Sequence, residues 1–320
     1  MKVILQKDLY ERSARIFDEA SEKYGIELLI AGILDEDVML AYHKQGALCF
    51  VIGAERYSAG FYQTISEGSA IIRYGVGYNA VPVDICLRRN IKVGYTPGTL
   101  TDSVAEHTFA LLLAVARKIP ELHQSVTAGY WKGIIGVELK NKTMAIIGYG
   151  QIGQTVAKIA KYGFGMKVFA FDNRDIPADS LYDFHSSDFG DVVKNADVVS
   201  IHLSSLPDTV GFVDEKKIGM MKDGIILINT ARGELIVEKD LFEALKSGKI
   251  LAAGLDVFGK EPYVPEEDAD FRKLANVILT PHCGSNTKEA SERMAKLVVK
   301  NIVAYYSSKP MILIPEMNGL

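Results

Sequence analysis

The chain has 320 residues, 48% hydrophobic and 24% charged, so it is long enough for two domains with soluble cores and is neither disordered nor fibrous. Its 36 basic residues are outnumbered by 40 acidic ones, for a net charge of −4, which leaves no basic face for nucleic acid or anionic lipid. Three cysteines, Cys49, Cys86 and Cys283, build no disulfide framework and show no metal-ligand spacing, so no metal site is expected and a reducing, cytoplasmic setting is.

Apolar runs at 3–5, 28–30, 48–52 and 70–72 predict buried strands separated by helix-length polar stretches. Val3-Ile4-Leu5 is too short for a secretory or membrane segment, so no membrane association is expected. Strands alternating with helices imply βαβ units and parallel sheet. After the fourth run Asn79 is expected to cap a helix beginning near Pro82. Residues 103–116 then form a helix that is apolar nearly all round, which predicts burial on two sides, one of them against a second domain or another subunit, the alternative being a helix internal to one domain. A second series of strands follows at 143–147, 167–171, 198–201, 225–229, 251–257 and 277–280. From Thr287, residues Ala290, Met294, Leu297, Val298 and Ile302 recur at helical spacing and need a platform. The expected organisation is a doubly wound α/β pair: residues 1–98 plus 287–320 as one domain and 99–286 as the other, with the chain crossing twice between them.

The strand at 143–147 runs directly into Gly148-Tyr149-Gly150-Gln151-Ile152-Gly153. Ile152, Val156 and Ile159 continue at helical spacing, which puts the glycines at a strand-to-helix turn where free amides and the helix dipole hold a pyrophosphate. The next strand ends at Asp172, nineteen residues beyond Gly153, where a carboxylate accepts from ribose hydroxyls and repels a 2′-phosphate. NAD is therefore favoured over NADP, with Arg174 nearby as the complicating charge.

Three later strand ends carry Asn229-Thr230-Ala231-Arg232-Gly233, Gly254-Leu255-Asp256-Val257-Phe258 with Glu261-Pro262, and Thr280-Pro281-His282-Cys283-Gly284. Together with Arg73-Tyr74-Gly75-Val76-Gly77, Glu106-His107-Thr108 and the Gly148 loop, these motifs stand in an order that resembles the D-isomer-specific 2-hydroxyacid dehydrogenase family along essentially the whole chain. The resemblance implies a Rossmann NAD-binding domain and a flavodoxin-like substrate (lid) domain. It implies that Arg232, Glu261 and His282 are catalytic, and that Val76, Gly77 and Arg232 hold the substrate carboxylate. Cofactor contacts are implied for Gly148, Gly150, Gln151, Ile152, Gly153, Asp172, His202, Leu203, Ser204, Pro207, Thr209, Thr230, Ala231, Arg232, Asp256, His282 and Gly284.

The chemistry fits those roles. Reduction of a 2-keto acid needs a hydride on carbon and a proton on oxygen, and His282 is a suitable acid. Glu261 would orient the imidazole and favour its charged form. Arg232 matches a carboxylate with a planar fork. His107 and His202 read as structural or cofactor-side, and Trp131 and Cys283 as packing residues. Gly53-Ala54 withholds the arginine that phosphate-handling relatives carry there, so a small unphosphorylated acid is expected in preference to 3-phosphoglycerate, with Arg56 the nearest basic alternative. A homodimer formed by the 103–117 helix and its neighbours is expected. The competing reading is a NAD(H)-sensing corepressor-like binding protein of the same fold, against which the intact Arg232, Glu261 and His282 set weighs.

Overall fold

The computed structural model describes residues 1–176, 180–265 and 268–317. They divide into two compact units, Met1–Leu100 with Asn286–Leu320, and Thr101–Ser285. The first boundary falls beyond residue 98 because Thr99 and Leu100 belong to the first unit's packing. Arg293 Nε donates to the Thr99 carbonyl at 2.7 Å, and Leu100 lies against the apolar cluster of Val3, Leu5 and Met294.

The chain begins with β1 (Lys2–Gln6), α1 (Lys7–Arg12), α2 (Ala14–Tyr24), β2 (Glu27–Ala31) and α3 (Glu36–Lys44). Next come β3 (Cys49–Ile52), α4 (Ala59–Thr64), β4 (Ala70–Arg73), α5 (Val83–Arg88) and β5 (Lys92–Gly94). The second unit opens with α6 (Thr101–Ala116) and α7 (Ile119–Thr127), followed by β6 (Thr143–Ile147), α8 (Gln151–Lys158), β7 (Lys167–Phe171) and β8 (Phe184–Ser186). It continues through α9 (Phe189–Val193), β9 (Val198–Ile201), α10 (Glu215–Met220), β10 (Ile225–Asn229), α11 (Glu238–Ser247), β11 (Ile250–Leu255) and β12 (Val277–Leu279). The last helix, α12 (Lys288–Tyr306), belongs to the first unit.

In the first unit the strand order is β2-β1-β3-β4-β5, all parallel, which is the flavodoxin-type order. Side chains alternate across the sheet: Val3 and Leu5 face one cluster, into which α12 sends Ala290, Met294, Val298 and Ile302, while Ile4 faces another. Both faces are covered, which explains why β3 reads as a continuous apolar run rather than an alternating one. α5 starts at Val83, and Pro82 rather than Asn79 occupies the cap position. A proline just ahead of the first turn already presets the backbone there.

The second sheet runs β12-β11-β10-β9-β6-β7-β8, again parallel throughout. Counted from β6, its order is that of a dinucleotide fold, which reverses direction between β6 and β9. α6 lies on this sheet against β10, β11 and β12, with α8 beside it, and Phe109, Leu111, Leu112 and Val115 are buried there. Its two-sided burial is therefore met inside its own unit. At Gly254 a side chain would come within 2.9 Å of Leu111 Cβ, so glycine is what lets the helix settle so closely on β11.

Candidate active site

β6 ends in the glycine turn. Gly148 has φ +100°, and a Cβ there would meet the His202 carbonyl at 2.7 Å. A Cβ at Gly153 would stand 2.2 Å from the Gly148 oxygen. Gly150 is the residue before α8, and a Cβ on it would touch nothing within 4 Å. Two glycines thus permit tight packing and the third faces open space at a helix N-terminus, the arrangement a pyrophosphate requires. Gln151 and Ile152 form the first turn of α8 beside it.

Asp172, at the end of β7, is buried and accepts from the Tyr149 amide at 3.0 Å and the Arg174 amide at 3.0 Å. Arg174 adds a two-pronged contact, Nε at 2.9 Å and Nη2 at 2.9 Å. The Arg174 hydrogen bond outweighs burial, and with the amides holds the Asp172 carboxyl down at about 2. Four donors fill roughly the four acceptor positions of a carboxylate. Any further donor to Asp172 would compete with Arg174, whose side chain is 73% exposed. The turn and the carboxylate fit the adenosine half of NAD, with Arg174 as a competitor for the same oxygens.

Across the switch in strand order, β9 leads into the segment holding His202, Leu203, Ser204, Pro207 and Thr209. His202 Nε2 lies 2.8 Å from Ser200 Oγ, and loss of hydration pushes its imidazole down to about 3, so it carries no charge at neutral pH. Thr209 Oγ1 donates to the Ser204 carbonyl at 2.7 Å and accepts from the Leu206 amide at 2.8 Å, which fixes the curve of this segment.

β10, β11 and β12 end in the three later motifs. Thr230 is buried and its hydroxyl meets that of Thr108 on α6 at 2.9 Å. Asn229 braces the turn, its Oδ1 accepting from the Ala231 amide at 3.0 Å and its Nδ2 donating to the Arg232 carbonyl at 2.9 Å. Gly233 packs so tightly on the next loop that a Cβ would fall 1.9 Å from the Phe258 carbonyl carbon. That contact brings the Arg232 turn against the loop carrying Glu261.

His282 Nδ1 lies 2.7 Å from Glu261 Oε2, and Glu261 Oε1 accepts from the Phe258 amide at 3.0 Å. Burial alone would raise the Glu261 carboxyl. The His282 hydrogen bond and charge, the Phe258 amide and the Arg232 charge together outweigh it and hold Glu261 below its ordinary range. A group depressed in this way contributes stability above its unfolded value and loses that contribution only as pH falls through the lower folded value. Glu261 is consequently an anion at neutral pH, placed to hold the imidazole by Nδ1 and leave Nε2 for chemistry.

His282 has φ +50°, a left-handed conformation that is unfavourable for a non-glycine residue. Asp256 maintains it. Its carbonyl accepts from the His282 amide at 2.7 Å, while its buried carboxylate accepts from the Cys283 amide at 2.9 Å, the Gly284 amide at 2.8 Å and the Thr280 hydroxyl at 2.6 Å.

Arg232, Glu261, His282 and the seventeen-position cofactor set all lie in the second unit. Val76 and Gly77 lie in the first, in the loop after β4. That loop is pinned by Gly75, whose amide donates to Thr96 Oγ1 at 2.9 Å. The sequence places Asn229 and Thr280 in these motifs without indicating their part: Asn229 bonds to the Arg232 turn and Thr280 to Asp256, contacts that leave no spacing signal. Trp131 does not pack: it is 92% exposed, because the stretch that follows α7 has no element of its own unit over it.

A family model described as D-isomer specific 2-hydroxyacid dehydrogenase, NAD binding domain, matches residues 109–284. The chain is 44% identical over 245 residues to a glyoxylate reductase of Thermococcus litoralis, covering 73% of each. It is 36% identical over 275 residues to a hydroxypyruvate reductase of Thermotoga maritima, covering 84% of this chain and 88% of that one. A D-3-phosphoglycerate dehydrogenase of Archaeoglobus fulgidus is 34% identical over 316 residues, which span 97% of this chain but 58% of that protein. Among solved structures, the TT0316 protein of Thermus thermophilus superposes with a TM-score of 0.84 at 32% identity, over 98% of this chain and 99% of that one. A glyoxylate reductase from Paecilomyes thermophila gives a TM-score of 0.87 at 26% identity, over 99% of both.

Proposed function

The chain belongs to the D-isomer specific 2-hydroxyacid dehydrogenase family, and from that premise we propose that it is an NAD-dependent oxidoreductase that interconverts a small D-2-hydroxy acid and its 2-keto acid. The observation that carries the reading is the 2.7 Å contact of His282 with Glu261, at the end of the same sheet that presents the Gly148 turn. When bound, the nicotinamide supplies or receives the hydride. His282, oriented through Nδ1 by Glu261, gives its Nε2 proton to the carbonyl oxygen and takes it back in the reverse direction. Arg232, enclosed enough that burial lowers its guanidinium somewhat while Glu261 and Glu234 favour its charge, pairs with the substrate carboxylate. The first unit, which carries Val76 and Gly77 in the loop after β4, acts as the substrate domain.

The Asp172 contact makes a separate expectation for the cofactor. Asp172→Ala should weaken NADH and narrow its advantage over NADPH, whereas Arg174→Ala, by freeing the carboxylate, should tighten NADH. Fluorescence titration of both cofactors against the three proteins decides it; an unchanged ratio in Asp172→Ala would sink the assignment.

The substrate is small and unphosphorylated. A phosphate dianion enclosed by protein needs a cationic partner, and the ground next to Gly53 is instead taken by an acid: a Cβ at Gly53 would stand 2.3 Å from Glu55 Oε2, which accepts from Gln6 at 3.1 Å. Glyoxylate and hydroxypyruvate should therefore show higher kcat/KM than phosphohydroxypyruvate in one buffer with NADH. A clear advantage for the phosphorylated acid would reverse this and make Arg56 the next residue to change. Binding of NADH with no turnover of any keto acid in a panel extended to pyruvate and phenylpyruvate would favour the sensor reading instead.

Three free cysteines support a reducing, cytoplasmic setting, and no helix among the described residues is long and apolar enough to cross a membrane. The chain works as a homodimer. The surface that supports this is not α6, which its own unit covers, but the stretch after it, where Ile119, Val126, Tyr130, Trp131, Ile134 and Ile135 are between 43% and 96% exposed. So contiguous an apolar run calls for a partner, and cyclic pairing with a second copy is the commonest solution. Light scattering should give twice the 35.1 kDa chain mass. A single-chain mass at micromolar concentration, or a dimer untouched by the double change Trp131→Ser with Ile135→Ser, would refute it.

A further inference from the structure

Three donor atoms of three different kinds converge inside the second unit: His107 Nε2, an Asp256 carboxylate oxygen and Cys283 Sγ lie within 4.8 Å of one another. Their positions in the sequence give no hint of this, since α6, the end of β11 and the loop after β12 each supply one. His107 Nε2 is 3.3 Å from Asp256 Oδ1 and 4.0 Å from Cys283 Sγ. Around a tetrahedral Zn2+, with bonds of about 2.0–2.3 Å to nitrogen, oxygen and sulfur, ligand atoms stand roughly 3.3–3.6 Å apart. The imidazole and carboxylate are already at that spacing, and the thiol, 4.0 Å from the imidazole and within 4.8 Å of both other donors, has to travel on the order of an ångström.

The surroundings are built rather than incidental. The Asp256 side chain is 2% exposed and that of His107 19%, and two backbone amides, of Cys283 and Gly284, fix the carboxylate. Thr280 Oγ1 sits 2.6 Å from Asp256 Oδ1 and 3.1 Å from His107 Nε2, where a fourth oxygen ligand belongs. On the remaining side stands Gly284, at which a Cβ would come within 3.1 Å of Asp256 Oδ2 and 3.5 Å of His107 Cδ2. Glycine keeps that side free of a side chain. Sulfur and imidazole donors disfavour Mg2+ and Ca2+, which want oxygen, and suit a borderline-soft ion. Carboxylate and thiolate together balance two positive charges.

We propose that His107, Asp256 and Cys283 form a binding site for a divalent cation of the zinc type, and that its occupation lowers turnover. The Cys283 thiol gives its proton to solvent as the metal–sulfur bond forms. Asp256, drawn onto the cation, slackens its hold on the Thr280 hydroxyl and the 283–284 amides, and these contacts keep the neighbouring His282 in its left-handed conformation. The site controls the loop without touching the reacting atoms.

Co2+ is the probe, because thiolate and tetrahedral coordination both leave an absorption signature. Titration of the full-length protein should produce a thiolate-to-cobalt charge-transfer band in the near ultraviolet with one ion per chain. The band should be absent from Cys283→Ala and displaced to higher cobalt concentration in His107→Asn. Circular dichroism and NADH titration establish that both variants are folded. No band in the wild type up to millimolar Co2+, or an undiminished band in either folded variant, overturns the site. The regulatory half rests on the hydride-transfer reading and is measured separately: Zn2+ should inhibit keto acid reduction reversibly, and Cys283→Ala should raise the half-inhibiting concentration about tenfold or more. Equal sensitivity of the two proteins would leave the cobalt result standing and remove the control.

Discussion

His282→Ala should lose keto acid reduction by about 100-fold to 10,000-fold, the range a positioned general acid supplies, while NADH binding stays within a few fold of the parent. The separation of the two effects follows from what holds the loop. Asp256 grips the amides of Cys283 and Gly284 and the Thr280 hydroxyl, so the loop keeps its course when the imidazole is removed. The His282 side chain itself is 35% exposed and carries little packing. Steady-state kinetics with glyoxylate or hydroxypyruvate, beside a fluorescence titration of NADH, reads both quantities. Loss of cofactor binding in step with activity would mean that the histidine is a structural residue and the proposed chemistry is misplaced.

Gly233→Ala should damage fold and activity together. The added methyl meets the backbone of Phe258 at 1.9 Å and the Gly259 nitrogen at 2.3 Å, and a main chain cannot turn aside as a side chain does. Overpacking costs typically about 1–3 kcal/mol; with the contact at the severe end, a fall in Tm of about 6–12 °C is expected for a domain of this size. The same displacement pushes the Arg232 turn off the Glu261 loop, and a shift of about 1 Å in a reacting constellation costs on the order of 100-fold in rate. Gly259→Ala is the comparison, because its Cβ would meet only the far end of Glu238, at 3.5 Å. Calorimetry and kcat for the two variants should differ sharply. A Gly233→Ala protein with parental Tm and turnover would show that the two loops are not in the contact described.

The alternation of strand and helix was legible in the sequence because both sheets are parallel and covered on both faces, which makes the central strands apolar throughout. β5 and β8 were not. Each has three residues, Lys92–Gly94 and Phe184–Ser186, and stands last in its sheet's strand order, too short to show a period and with polar residues tolerated there. The glycine turn and the three reacting groups were readable since each follows directly on an apolar strand. The helix at 101–116 was legible as doubly buried, but periodicity could not say by what; the second cover proved to be α8. Trp131 shows the opposite failure, where size and hydrophobicity suggested packing and only the fold reveals that nothing in its own unit reaches it. His107, Asp256 and Cys283 lie so far apart in the chain that only the fold shows their donors together.

α12 packs on the sheet that β1 began, although the whole of the second unit is synthesised between them. At about 5–20 residues per second, the roughly 230 residues from the end of β4 to the end of α12 occupy a ribosome for about 10–50 s. Throughout that interval the face bearing Val3, Leu5, Val51 and Ile72 waits for Met294, Val298 and Ile302, while the dinucleotide fold can already close. Nascent chains are therefore most vulnerable at their oldest part, and a premature stop near Thr287 would release a finished second unit tethered to a sheet with one face covered only in part, by Leu9, Ile16, Phe17 and Ala20, a natural client for holdase chaperones.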